Sequence, residues 1–320
     1  MIELNTKLYQ SDIEMLPIRK GFGEGLRAAG QKDSSIVALC ADLTESTQME
    51  AFAQAFPERF VEIGVAEQNL VTVASGMAAM GKRPFVTSYA GFSPGRNWEQ
   101  IRTTLCLNER NVKIVGSHAG VSVGPDGATH QMLEDIALMR VLPNMSVVVP
   151  CDAIEARKAT MALSTTDSPA YLRLAREKTA IVTTENTDFV LGKAEVLLAG
   201  SDVTVVACGP LVYEALLAAR KLAAKCKLEV VNCHTIKPLD NKTILKSAAK
   251  TKRIVTVEEG QAAGGLGGAV TELLSTELPV RISRVGVLDR FGQSGTVQEL
   301  WREYRLDSNA IVDAVREVLK

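Results

Sequence analysis

Apolar residues along the first half of the chain fall into two alternating rhythms. Short β-branched runs predict strands at 36–41 (IVALCA), 60–63, 84–89, 112–117 (VKIVGS), 146–150 (SVVVP) and 170–174. Longer stretches between them predict helices near 19–30, 66–80, 97–107, 131–140 and 152–165. Asp152, followed three residues later by Glu155, fits a capping box opening the last of these helices. The rhythm lapses over 176–195 (REKTAIVTTENTDFVLGKAE), a polar and β-branched stretch that reads as a connecting segment. A second alternation follows: strand 203–208, helix 211–224, strand 228–233, helix 241–250, strand 253–258, a glycine-rich loop, helix 267–275 and strand 280–285. Strand–helix alternation of this kind predicts a mainly parallel sheet covered by helices on both faces. The expected fold class is therefore α/β, with two domains each built on a mainly parallel sheet flanked by helices. The expected division is 1–188, including the connecting segment, and 189–320.

Composition narrows the possible partners. The 320 residues are 46% hydrophobic and 23% charged with a formal net charge of -1, so there is no bulk field to draw nucleic acid or an anionic membrane. No apolar run reaches the roughly 20 residues of a membrane helix. The start, MIELNTKLYQ, lacks a basic segment followed by a hydrophobic one. A cytoplasmic protein is the expectation. The six cysteines, at 40, 106, 151, 208, 226 and 233, never approach Cys-x-x-Cys spacing, so reduced packing residues are expected rather than a disulfide frame or a zinc site. With only His118, His130 and His234 available, no metal ligands are assigned to this chain.

Three segments could carry chemistry. In FVEIGVAEQN (60–69) a strand passes through a glycine into an apolar helix, leaving Glu67 in the first helical turn. There it either complements the helix dipole or stands as a partly desolvated carboxylate able to share a proton with a bound heterocycle. SYAGF (88–92) places Tyr89 and Phe92 at the carboxyl end of a strand, where open α/β sheets bind ligands; the two rings serve either as core or as a platform for a flat heteroaromatic group. SHAGVSVGPDGATHQ (117–131) puts His118, Asp126 and His130 in one glycine-rich loop. Packing explains such a loop poorly. Histidine can donate to hydroxyls or phosphate and move protons near neutral pH, and an aspartate suits a sugar hydroxyl.

In this order the three segments resemble the C-terminal two-thirds of transketolase and of its relative deoxyxylulose-5-phosphate synthase. The family pattern is a strand ending in a Gly-x-x-Glu-like turn, an aromatic pair, and a D-G-x-T-H-Q loop, matched by Asp126, Gly127, Ala128, Thr129, His130 and Gln131. CADLTES (40–46) is similar to the family segment S-A-D-L-T-x-S and brings in Asp42 and Ser46. The resemblance runs over nearly the whole chain from residue 12 and implies a pyrimidine-binding fold followed by a transketolase C-terminal domain. It implies thiamine diphosphate as cofactor, with Glu67 bonding N1′ of the aminopyrimidine, Tyr89 and Phe92 flanking the ring, and Asp42 near the cofactor across a shared boundary with another chain. The implied reaction moves a two-carbon ketol unit from a ketose to an aldose. Arg19, Ser46, His118 and Arg176 would then face a sugar phosphate, and Asp126 and His130 the sugar hydroxyls, with Glu67 and His130 as the catalytic pair. Guanidinium forks suit phosphate. Arg173 competes with Arg176, because YLRLAR (171–176) sends the two to opposite faces of a continuing strand.

The G-D-G motif with which transketolases hold the diphosphate and its divalent metal, followed about 25–30 residues later by asparagine in the family pattern, does not occur here. The expectation is a partner N-terminal subunit that carries this motif and binds most of the magnesium, with two-fold symmetric self-association through the small subunit. GGLGG (264–268) reads as a tight turn rather than a phosphate loop. Two further enzyme readings are a deoxyxylulose-5-phosphate synthase-like chain and the β subunit of a 2-oxo-acid dehydrogenase. A reading from another class is a non-catalytic interaction subunit. FSPGRN (92–97) departs from the family's usual helical continuation, which leaves the role of Arg96 open.

Overall fold

The computed structural model describes residues 2–320. Its strands are β1 (Met15–Pro17), β2 (Ile36–Cys40), β3 (Phe60–Glu62), β4 (Arg83–Tyr89), β5 (Lys113–Ser117), β6 (Ser146–Val148), β7 (Ala170–Arg173), β8 (Lys178–Ala180), β9 (Glu195–Leu198), β10 (Val203–Ala207), β11 (Leu228–Asn232), β12 (Thr235–Lys237), β13 (Arg253–Gln261) and β14 (Arg281–Val287). A seven-stranded sheet has the order β12-β6-β7-β5-β4-β2-β3 and a five-stranded sheet the order β14-β13-β10-β11-β9. Within these two sheets only the edge pairs β12–β6 and β11–β9 are antiparallel. The chain is thus α/β with parallel-dominated sheets. Strands β2 and β5 are buried at every position, which is why they read as continuous apolar runs rather than as alternation.

Helices cover both faces. Ile18–Lys32 lies against Ala153–Ser164 so closely that a Cβ on Gly21 would stand 1.8 Å from the Ala153 carbonyl oxygen. That approach requires glycine. Ile18, Phe22 and Leu26 from the first of these helices join Phe85, Val148 and Leu172 in one core. On the other sheet face Leu39, Leu70, Ile114 and Met139 form a core that runs on into Val206, Val231, Ile254 and Leu266 of the second sheet. One apolar body therefore links the two sheets. All six cysteines are free and buried.

Several elements differ from the sequence expectations, each for a local reason. Helix 131–140 shortens to Asp135–Arg140, because Met132 is bridged to Ala119 and Gln131 is bonded elsewhere. The 97–107 helix has only one α-turn, Trp98–Gln100, before winding as a π-helix over Ile101–Cys106. Asp152 does cap its helix, accepting from the Glu155 amide at 2.8 Å, but the Glu155 side chain takes the Cys151 amide, not that of Asp152. The connecting segment contains β8, which pairs with β1. Strand β12 comes from the second half of the chain yet extends the first sheet. After β14 come helices Val297–Glu303 and Ser308–Leu319. The GGLGG turn opens helix Leu266–Glu277, where the Glu258 carboxylate accepts from the Leu266 and Gly267 amides at 2.8 Å each. A side chain of this protein thus already fills the place an anion would take at that helix end.

Candidate active site

Strand order reverses between β2 and β4, since the chain steps outward from β2 to β3 and returns to β4 on the other side. Crevices form beyond the carboxyl ends of strands at such points. Glu67 follows β3, Tyr89 ends β4 and His118 follows β5. The topology alone gathers three of the candidate residues at one edge.

Glu67 is the first residue of helix Glu67–Ala79 and is 4% exposed. Its carboxylate meets Arg96, whose Nη1 lies 3.2 Å from both carboxylate oxygens. Asn97 secures the backbone there by donating to the Glu67 carbonyl at 2.8 Å. The FSPGRN loop bends tightly enough that a Cβ on Gly95 would lie 2.0 Å from the Gly91 oxygen. The bend returns the Arg96 guanidinium over the Phe92 ring at 4.2 Å. Arg96, whose role the sequence left open, is therefore Glu67's ion-pair partner.

The rings form one cluster. Tyr89 stacks on His118 with centroids 3.8 Å apart and lies 5.9 Å from Phe92. His130 stands edge-on to Phe92 at 5.4 Å and to Tyr89 at 6.3 Å. His118 is 2% exposed with φ of 57°, and its Nδ1 lies 2.8 Å from the Ser117 hydroxyl. Burial, with the positive charge of Arg19 and Arg176 and the nearby His130, pushes its pKa down to about 3. His118 is thus a neutral donor or acceptor near pH 7. The His130 ring meets the Thr129 hydroxyl at 2.9 Å.

Beside His118 stand the two arginines. Arg19 donates to the Arg176 carbonyl at 3.2 Å and to the Ser46 carbonyl. Arg176 donates to Val123 O at 2.8 Å and lies 3.5 Å from Asp126. Arg173 is committed elsewhere: it is buried with its Nε 2.7 Å from Asp135 and its Nη2 2.7 Å from the Glu259 carbonyl. Of the two competing arginines, Arg176 joins the cluster. Asp42 sits apart at φ of 60°, exposed, with its amide held by the Glu62 carboxylate at 2.7 Å. No hydrogen bond joins the Asp42 side chain to the others among the described residues.

Clefts of about 430, 440 and 600 Å³ lie elsewhere, against helix Ile18–Lys32, beside Met77 and Met80, and beside Phe291. None of the three holds a ring, histidine and carboxylate together, so chemistry and not volume marks the site. Among the described residues no group of three or more His, Cys, Asp or Glu side chains is arranged to hold a metal ion.

The sequence matches the transketolase pyrimidine-binding domain over residues 14–181 and the transketolase C-terminal domain over residues 192–311. A solved structure of a split-gene transketolase, as an inactive beta4 tetramer, superposes with a TM-score of 0.89 at 43% identity, covering 95% of this chain and 98% of that one. The 6-deoxy-6-sulfo-D-fructose transketolase subunit of Clostridium sp. is 41% identical over 302 residues, 94% of each chain. An apulose-4-phosphate transketolase subunit of Phocaeicola vulgatus is 39% identical, over 96% of this chain and 98% of its own. Matched over nearly its whole length by such chains, this chain belongs to the transketolase family.

Proposed function

We propose that this chain is the pyrimidine-side subunit of a thiamine-diphosphate-dependent transketolase. In this reading it moves a two-carbon ketol unit from a ketose phosphate to an aldose phosphate. It acts only with an N-terminal subunit that supplies the diphosphate and magnesium site. The observation that carries the reading is the single cluster in which a buried carboxylate, two aromatic rings, two histidines and two arginines converge. The partner requirement draws support from the relatives, which are named as subunits, and from the inactivity of the split-gene beta4 tetramer. That tetramer also supports self-association through this chain. Free, buried cysteines are compatible with the cytoplasm.

The residues fit the ring end of the cofactor. Glu67 has one side-chain partner, Arg96, which is half exposed and so has room to move aside. A buried carboxylate beside Phe92 suits a flat, basic nitrogen heterocycle. Thiamine diphosphate, when bound, supplies the carbon nucleophile that cleaves the ketose next to its carbonyl. Glu67 would hold the proton that tunes the aminopyrimidine. Tyr89 and Phe92 would keep water from it, and Asp42 would approach it from the boundary with another chain. Arg19 and Arg176, already side by side, provide the charge for a phosphate, with Ser46 at the same turn and neutral His118 as a donor. Asp126 and His130 would take sugar hydroxyls, His130 also passing protons to the substrate.

The test is a donor comparison in the assembled enzyme. Transfer from xylulose 5-phosphate, with pyruvate inert, is expected. Turnover of pyruvate with no turnover of ketose phosphate would move the assignment to a 2-oxo-acid dehydrogenase or to a deoxyxylulose-5-phosphate synthase-like chain. Failure to bind the cofactor at all would leave an interaction subunit.

A further inference from the structure

The histidine loop is not held by its own domain alone. Glu259, on β13 of the second sheet, is 1% exposed and reaches across to the loop. Its Oε1 accepts from the Ser122 amide at 2.7 Å and from Trp301 Nε1 at 3.1 Å, and its Oε2 accepts from the Ser122 hydroxyl at 3.1 Å. The fit leaves no slack, since a Cβ on Gly120 would stand 2.5 Å from the Glu259 carboxyl carbon. A second tie runs from Gln131 Nε2 to Gln293 O at 2.9 Å and Val121 O at 3.0 Å. Both ends of the segment from Val121 to Gln131 are thereby fastened to the second half of the chain. Between the ties, Asp126 is exposed and His130 half-buried.

We infer that Glu259 is a positioning residue for the sugar substrate: by clamping Ser122 it fixes the loop that presents Asp126 and His130. The inference rests on the proposed function for its substrate, but the clamp itself does not. It gives the second sheet a task beyond support. A loop with three glycines would otherwise sample many conformations. Substrate binding would then have to order it each time, at a cost to affinity.

Glutamine at 259 can keep its oxygen toward Ser122 N and Trp301, with its amide facing a hydroxyl able to accept. Alanine keeps none of these bonds. In the assembled enzyme, Glu259→Ala is expected to raise KM for the ketose phosphate roughly tenfold, the loss of a charge-assisted bond, while Glu259→Gln stays within about threefold of the parent. The cofactor's KM is expected to stay within about twofold in both, because Glu67 is held by Arg96 and Asn97, outside the clamped segment. Hydrogen exchange on the full chain reads the clamp without any activity: amides of 121–131 are expected to exchange about tenfold faster in Glu259→Ala and not in Glu259→Gln. Should Glu259→Ala fail to fold, Ser122→Ala and Trp301→Phe remove single bonds and are expected to give the same pattern at smaller size. Unchanged exchange in these variants, or equal loss of cofactor and sugar affinity, overturns the inference. Absence of ketol transfer in the unaltered assembly would instead remove the proposed function, and faster loop exchange would then still establish the clamp.

Discussion

At the scale of single residues, Glu67 and His118 show how burial assigns roles. The Glu67 carboxylate is almost wholly withdrawn from water but keeps one cationic partner, Arg96, resting on the Phe92 ring. Glutamine has nearly the same shape but cannot donate or hold the acidic proton. Glu67→Gln is expected to lower kcat of the assembled enzyme by about 100-fold or more with an unchanged melting temperature. A drop below about tenfold would contradict a proton-holding role. His118 makes a different prediction. Its folded pKa of about 3 lies below the ordinary 6.5, so the unfolded chain binds a proton that the folded chain refuses. The stability this burial allows is present above pH 6.5 and is lost as pH falls from there toward 3. His234, buried with a pKa near 4, acts in the same direction. Ring resonances of His118 are expected to show no titration between pH 8 and about pH 5. A midpoint near 6.5 would contradict the burial assigned to it.

At the scale of elements, Asp152 does more than begin a helix. It accepts from Glu155 N at 2.8 Å, from Val182 N at 2.8 Å, from Thr183 N at 2.6 Å and from the Thr183 hydroxyl at 2.9 Å. It thereby fixes the chain just beyond β8. Asp152→Ala would leave buried donors unpaired and is expected to lower unfolding free energy by about 3 kcal/mol or more in urea titrations, with Asp152→Asn losing less. A change under about 1 kcal/mol would contradict it. The helix start at 153 was legible because a capping acid leaves a local signal. The use of Asp152 on residues 182–183 was not, because contacts some thirty residues apart leave none. The same distinction explains the rest. Fully buried β2, β5, β10 and β11 announced themselves by β-branched runs, whereas the three-residue strands β1, β8 and β12 are set by partners distant in sequence. The helix expected over 131–140 ran too long because Gln131 and Met132 have helical neighbours but tertiary obligations.

At the scale of the whole molecule, Glu67, Tyr89, Phe92, His118 and His130 were singled out by type and spacing, Arg19 and Arg176 by the family resemblance, and the fold brings them together. Strand alternation predicted opposite faces for Arg173 and Arg176, but β7 ends at Arg173 and Arg176 lies beyond it. Which one joins the cluster was decided by Asp135, which buries Arg173. Arg96 was hidden because its partner lies 29 positions away across a glycine-bent loop. In the proposed reading, the gathered residues would hold the ring end of the cofactor and a sugar phosphate, and a second surface would close the site. The partner chain is therefore central to the account. The direct measurement is ketol transfer from xylulose 5-phosphate to an aldose phosphate, with thiamine diphosphate and magnesium, by this chain alone and after mixing with an N-terminal transketolase subunit. The account predicts no transfer from the chain alone and transfer from the mixture. Transfer at comparable rates by the chain alone would contradict it.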